Sequence, residues 1–72
     1  MALITNEVLA AKVKTQIALD GLKAKGDIKI ACKDGVITLT GTVDSEKTVE
    51  AARRSTLKVL EVMGVNNLLK TQ

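Results

Sequence analysis

The chain has 72 residues, enough for one domain, and a domain of this size buries only about 60% of the surface its unfolded chain exposes. With 46% hydrophobic residues but no aromatic, proline or histidine, the core must be aliphatic, and modules that stack bases on aromatic rings are excluded. Eleven Lys and Arg against eight Asp and Glu leave a net charge of +3, spread evenly along the chain and far from the dense basic patch of a nucleic-acid binder. Cys32 is the only cysteine. It rules out an internal disulfide, argues against a zinc site, and in the absence of histidine removes a Cys–His nucleophile.

The opening run MALITNEVLAAK has no basic segment followed by a continuous apolar core, and no stretch approaches 18 apolar residues. Neither a signal peptide nor a membrane span is therefore expected, and the compartment stays unassigned. Residues 6–20 are good helix formers, with Thr5 or Asn6 as N-cap and Glu7 in the first turn. Leu9, Val13 and Ile17, with Ala10 beside them, form one apolar stripe that faces a sheet. A second line runs through Val8, Ala11, Leu19 and Leu22, flanked by Lys12 and Lys23. Two readings of it compete. The helix either stops near Asp20, with Gly21 as a left-handed cap and Leu22 folded back, or it exposes an apolar strip edged by lysines, suited to a lipid headgroup boundary or a partner helix.

Residues 27–33 and 36–43 alternate in hydrophobicity around Asp34-Gly35. Such a pair favours a type I′ turn, which needs positive φ at both central residues. The register that follows opposes Lys33 to Val36, Cys32 to Ile37, Ile30 to Leu39 and Ile28 to Gly41, with the apolar partners on one face. The other face collects Lys29, Ala31, Lys33, Val36, Thr38, Thr40 and Thr42. A one-residue slip would turn Ile37 and Leu39 to solvent, so turn chemistry and burial specify one register. Gly41 falls on the core face, where its missing side chain would let a helix approach.

Asp44-Ser45-Glu46 opens a second helix expected over 45–63. Val49, Ala52, Thr56, Val59, Leu60 and Met63 share its inward face, and Glu50 is placed to pair with Arg54. Gly64 is read as its terminator, followed by a short last strand at 65–71 whose inward residue is either Leu68 or Leu69. The order helix, strand, strand, helix, strand implies a single α+β domain spanning 1–72: a three-stranded mixed sheet with both helices on one face and a right-handed crossover. The acids Asp20, Asp27, Asp34 and Asp44 lie at element ends, where turns and caps explain them. No phosphate-cradling glycine loop or serine elbow motif is present, and Gly21 to Gly26 is not a GXXG loop, so neither an enzyme nor a nucleic-acid binder is expected.

Val13-Lys14 with Ile17 and Asp20, then Ile28 and Ile30, DGVITLTGTV at 34–43, and Gly64-Val65 followed by Leu68 together resemble the BON domain of bacteria, named for osmotically induced and nodulation proteins. Lys70 stands where the family often has Asn, and Ser55 and Val59 where Ala is common. The resemblance implies a non-catalytic αββαβ module without cofactor or metal, common in periplasmic or envelope-associated proteins. It implies weak association with anionic phospholipid surfaces in an envelope or osmotic-stress setting. The alternatives are a protein-interaction or self-assembly domain, part of a larger protein, or a potassium-responsive module beside a second domain. A monomer or weak homo-oligomer is expected. The contact residues expected on the first helix's outer side are Val8, Lys12, Leu19, Leu22 and Lys23, while Asp34, Gly35, Gly41 and Gly64 are structural.

Overall fold

The tight turn at Asp34-Gly35 sets the frame. In the computed structural model, which describes residues 5–22, 24, 26 and 28–71, both turn residues have positive φ, +51° and +83°. They join β1 (Lys29–Lys33) to β2 (Val36–Val43) in the antiparallel register expected, with Cys32 opposite Ile37 and Ile30 opposite Leu39. The other elements are α1 (Asn6–Leu19), α2 (Glu46–Leu57) and β3 (Gly64–Thr71). β2 is the central strand, pairing antiparallel with β1 and parallel with β3. The fold is thus the α+β arrangement α-β-β-α-β.

The inward residues of β2, Ile37, Leu39 and Val43, are fully buried. They join Leu9, Val13 and Ile17 of α1, Ala52 of α2 and Leu69 of β3 in one core cluster, so both helices cover the same sheet face. α1 begins where Thr5 Oγ1 accepts the Val8 amide at 3.1 Å, which satisfies one of the free donors of the first turn. It ends at Asp20, with Gly21 at φ +67° and Leu22 packed against the core. The folded-back helix end is therefore the reading that holds for Leu22, which leaves the outer apolar line. Lys23 lies outside the described residues, as does Asp27.

The second half departs from the expected boundaries. α2 ends at Leu57 and not at Met63. Its last turns tighten into three-residue bonds, from the Lys58 amide to the Ser55 carbonyl and from the Val59 amide to the Thr56 carbonyl, and the Met63 amide donates to the Gly35 carbonyl at 2.8 Å. The physical reason is the parallel register: Gly64 pairs with Val36 beside the hairpin turn, so the chain must leave the helix to reach that end of β2. Gly64 consequently opens β3 and does not terminate a helix. Leu60 and Met63, expected on the buried face, are 96% and 82% exposed.

β3 is not short, since all eight of its residues pair with β2. Its inward residues are Val65, Asn67 and Leu69, while Leu68 is half-exposed on the other face. Asn67 Nδ2 donates to the Val49 carbonyl at 2.9 Å, which ties β3 to α2. The ion pair on α2 is Glu50 with Arg53 at 3.9 Å, one residue earlier than the expected Arg54 partner. Gly41 has φ +138°, a backbone conformation that side chains rarely adopt. That strain supplies a reason for glycine other than the expected close approach of a helix.

Candidate functional site

The outward crest of α1 follows from helical spacing. Val8, Ala11, Thr15 and Leu19 recur at intervals of three and four residues and so share one side of the helix, opposite the buried Leu9, Val13 and Ile17. Val8 is 48% and Leu19 75% exposed. Beside this crest lies the turn that follows α2, with Leu60 at its tip, and between them runs an open groove of about 560 Å³ bordered by Val8, Ala11, Thr15 and Leu60.

Two ion pairs flank Leu60 in sequence and bind its turn to α1. Lys12 Nζ donates to Glu61 Oε2 at 3.0 Å, and Lys58 Nζ donates to Asp20 Oδ2 at 3.0 Å. Asp20 also accepts from Ser55 Oγ and, at 3.1 Å, from Gln16 Nε2. The hydrogen bond from Ser55, followed by that from Lys58, holds the Asp20 carboxyl below its ordinary range. The Lys12 bond, followed by a backbone N–H, does the same for Glu61. Both shifts follow from donors that favour the charged form. Each pair is partly solvated and individually weak, but together they hold Leu60 outward in a defined place.

Of the contact residues expected on the outer side, Val8, Lys12 and Leu19 are brought together. Lys12 is ion-paired and not free, and Leu22 lies against the core. Leu60, Lys58, Glu61 and Asp20 were missed, because no Gly or Pro between Ser55 and Met63 marks the early end of α2 and helical periodicity placed Leu60 inward.

The opposite sheet face is different in kind. Register places Lys29 beside Thr40 and Leu68, Ala31 beside Thr38 and Asn66, and Lys33 beside Val36 and Gly64, with Lys70 next to Thr42. The outward positions of the three strands contain no Asp or Glu.

Among the described residues no group of three His, Cys, Asp or Glu is placed to hold a metal, and no helix is long and apolar enough to cross a membrane. Cys32 is partly buried, its Sγ 3.5 Å from Asn6 Oδ1. A search of curated proteins found no match. A family model described as the BON domain matches residues 5–72. With its fold in agreement and nearly its whole length matched, the chain belongs to the BON domain family, a family of non-catalytic binding domains.

Proposed function

We propose that this BON domain associates weakly with anionic phospholipid surfaces, laying the crest of α1 and the tip at Leu60 into the headgroup boundary. Leu60 carries the reading. A leucine 96% exposed, flanked by two ion pairs that fix its turn, makes no contribution to the core that would account for it. Val8 borders the same groove, and Leu19 is exposed further along the same side of α1. Full burial of one such side chain is worth about 1.5–3 kcal/mol, whereas a lysine near a charged bilayer adds about 1 kcal/mol. Lys12 and Lys58 contribute less than free lysines would, because Glu61 and Asp20 accompany them. Partial insertion of three aliphatic side chains therefore gives reversible binding.

Flotation with phosphatidylglycerol vesicles tests the reading. The wild type is expected to co-migrate at low salt, and the Leu19→Glu/Leu60→Glu variant to stay behind with its melting curve unchanged. A wild type that remains at the bottom of the gradient contradicts the proposal.

A second reading places a protein partner on the open sheet face, where Val36 and Leu68 are half-exposed. Lys29, Lys33 and Lys70 on that face disfavour stacking of two identical copies and favour an acidic partner. Sedimentation of a concentration-independent monomer removes the self-assembly form of this reading.

A further inference from the structure

The sheet face turned away from the helices is laid out in lanes. The central strand β2 puts Val36, Thr38, Thr40 and Thr42 outward and carries no charge there, while the lysines stand on the two outer strands, Lys29 and Lys33 on β1 and Lys70 on β3. None of the three has an ion-pair partner among the described residues. Asp34, the acid next to Lys33, belongs to the turn beyond the strand ends. This side therefore offers an uncharged lane between two cationic borders. Its width is two strand spacings, about 10 Å, close to the diameter of a helix, about 10–12 Å.

Gly64 points independently to something from outside. It shares a row with Lys33 and Val36. Its φ is not in the left-handed region, and a Cβ on it would meet only Val36 Cγ2, at 3.8 Å, an ordinary contact. Neither backbone conformation nor internal packing calls for glycine there, and a glycine weakens a strand. What it does provide is a bare spot on the face, where another backbone can approach closely. Half-exposed Val36 beside it and Leu68 further along β3 supply apolar contact.

We propose that this face seats a helix of a partner protein, lying along β2 with small or apolar residues against Val36 and Leu68 and acidic residues on both flanks. The proposal rests on the protein-partner reading of the open face above and gives that partner its shape. The lysines also set the spacing of the acids. Lys29 and Lys33 are four residues apart on one strand, about 13 Å, and two acids seven or eight residues apart on one flank of a helix match them at about 10.5–12 Å. Lys70 pairs with Thr42, two residues beyond the Thr40 that faces Lys29, so a third acid belongs on the other flank at that end. A second copy of this chain, with its net charge of +3, meets the same lysines with repulsion.

The test titrates a stapled helical peptide of about 15 residues, an alanine-leucine stripe flanked by glutamates at that spacing, into the intact chain and follows it by proton–nitrogen NMR. Saturable shifts are expected at Lys29, Thr38, Thr40, Gly64 and Leu68, with the crest of α1 unmoved, and no binding is expected when lysines replace the glutamates. Lys29→Glu/Lys33→Glu/Lys70→Glu and Gly64→Leu are each expected to weaken binding by about tenfold or more, whereas Leu19→Glu/Leu60→Glu should leave it unchanged. The melting temperature of Gly64→Leu should not fall; should it do so, Gly64→Ala serves in its place, with binding weakened about threefold at full stability. Equal affinity in the wild type and the sheet-face variants overturns the proposal, as do shifts confined to other residues. If an extended acidic peptide of the same composition shifts the face as strongly, the helix falls and the acidic-partner reading stands. If no acidic peptide shifts the face, both fall. If phosphatidylglycerol bicelles shift it and the peptide does not, both fall in favour of lipid at the sheet.

Discussion

The crest of α1 and the open face of the sheet are both exposed, but they expose different things. On the crest Val8 and Leu19 are exposed, Val8 borders the same groove as Leu60, and two lysines flanking that turn are each bonded to a carboxylate, Lys12 to Glu61 and Lys58 to Asp20. On the sheet, Lys29, Lys33 and Lys70 project among threonines with no acid between them. The sheet face thus sets lysines with no neighbouring acid among threonines and the half-exposed Val36 and Leu68, whereas the lysines beside Leu60 are each paired with a carboxylate. The two respond differently to conditions. Insertion of leucines is nearly indifferent to salt, whereas attraction of exposed lysines fades over a Debye length of about 8 Å at physiological ionic strength. Binding carried by the crest should survive added salt better than binding carried by the sheet.

The largest expected effect falls on the frame that holds both regions apart. A valine at Gly41 must adopt φ near +138° and should cost about 1–3 kcal/mol, read as an earlier midpoint in urea. The Leu19→Glu/Leu60→Glu variant should change stability by no more than about 0.5 kcal/mol, as for surface sites. It should nonetheless weaken vesicle binding about tenfold or more. A comparable loss of stability would mean that Leu60 packs against something after all, and the contrast between the two regions would fail.

Ser55→Ala sharpens the comparison from the side of the turn. Ser55 is buried and donates to Asp20, so its loss should destabilise the domain less than Gly41→Val and loosen the turn that presents Leu60. The pH dependence has a definite sign. Asp20 titrates below its ordinary 3.8 in the folded state, so its stabilising contribution is present above pH 3.8 and is lost as pH falls through the lowered folded value. Ser55→Ala should therefore flatten the acid limb of the stability profile. An unchanged limb would show that Lys58 and Gln16 suffice to hold the carboxylate. The smallest effect is expected from Lys29→Glu/Lys33→Glu/Lys70→Glu, which should weaken flotation by about threefold or less at physiological salt, where exposed charges at a distance are screened.

What was legible in the sequence follows the range of the interactions involved. Asp34-Gly35 and the alternation around it are local signals, and they carried the register of β1 and β2. The stripe of Leu9, Val13 and Ile17 likewise announced its own burial. The outer face of α1 was legible in part: Val8, Lys12 and Leu19 do share one side, but whether Leu22 joined them depended on a helix end that propensity left open. The segment from Lys58 to Met63 was not legible. Its residues continue a helical pattern, and what stops the helix is non-local, the parallel pairing that brings Gly64 to Val36 and the Met63 amide to the Gly35 carbonyl. Leu60 was misplaced for the same reason. The bond from Ser55 to Asp20 joins residues 35 apart and has no periodic signature.

Proton–nitrogen NMR of the intact chain, titrated with phosphatidylglycerol bicelles, tests the central claim most directly, because it reports which side meets lipid. Shifts and broadening concentrated at Val8, Ala11, Thr15, Leu19 and Leu60, persisting at physiological salt, are the result expected. Shifts concentrated instead at Lys29, Thr38, Thr40 and Lys70, or no change at any residue, would contradict it.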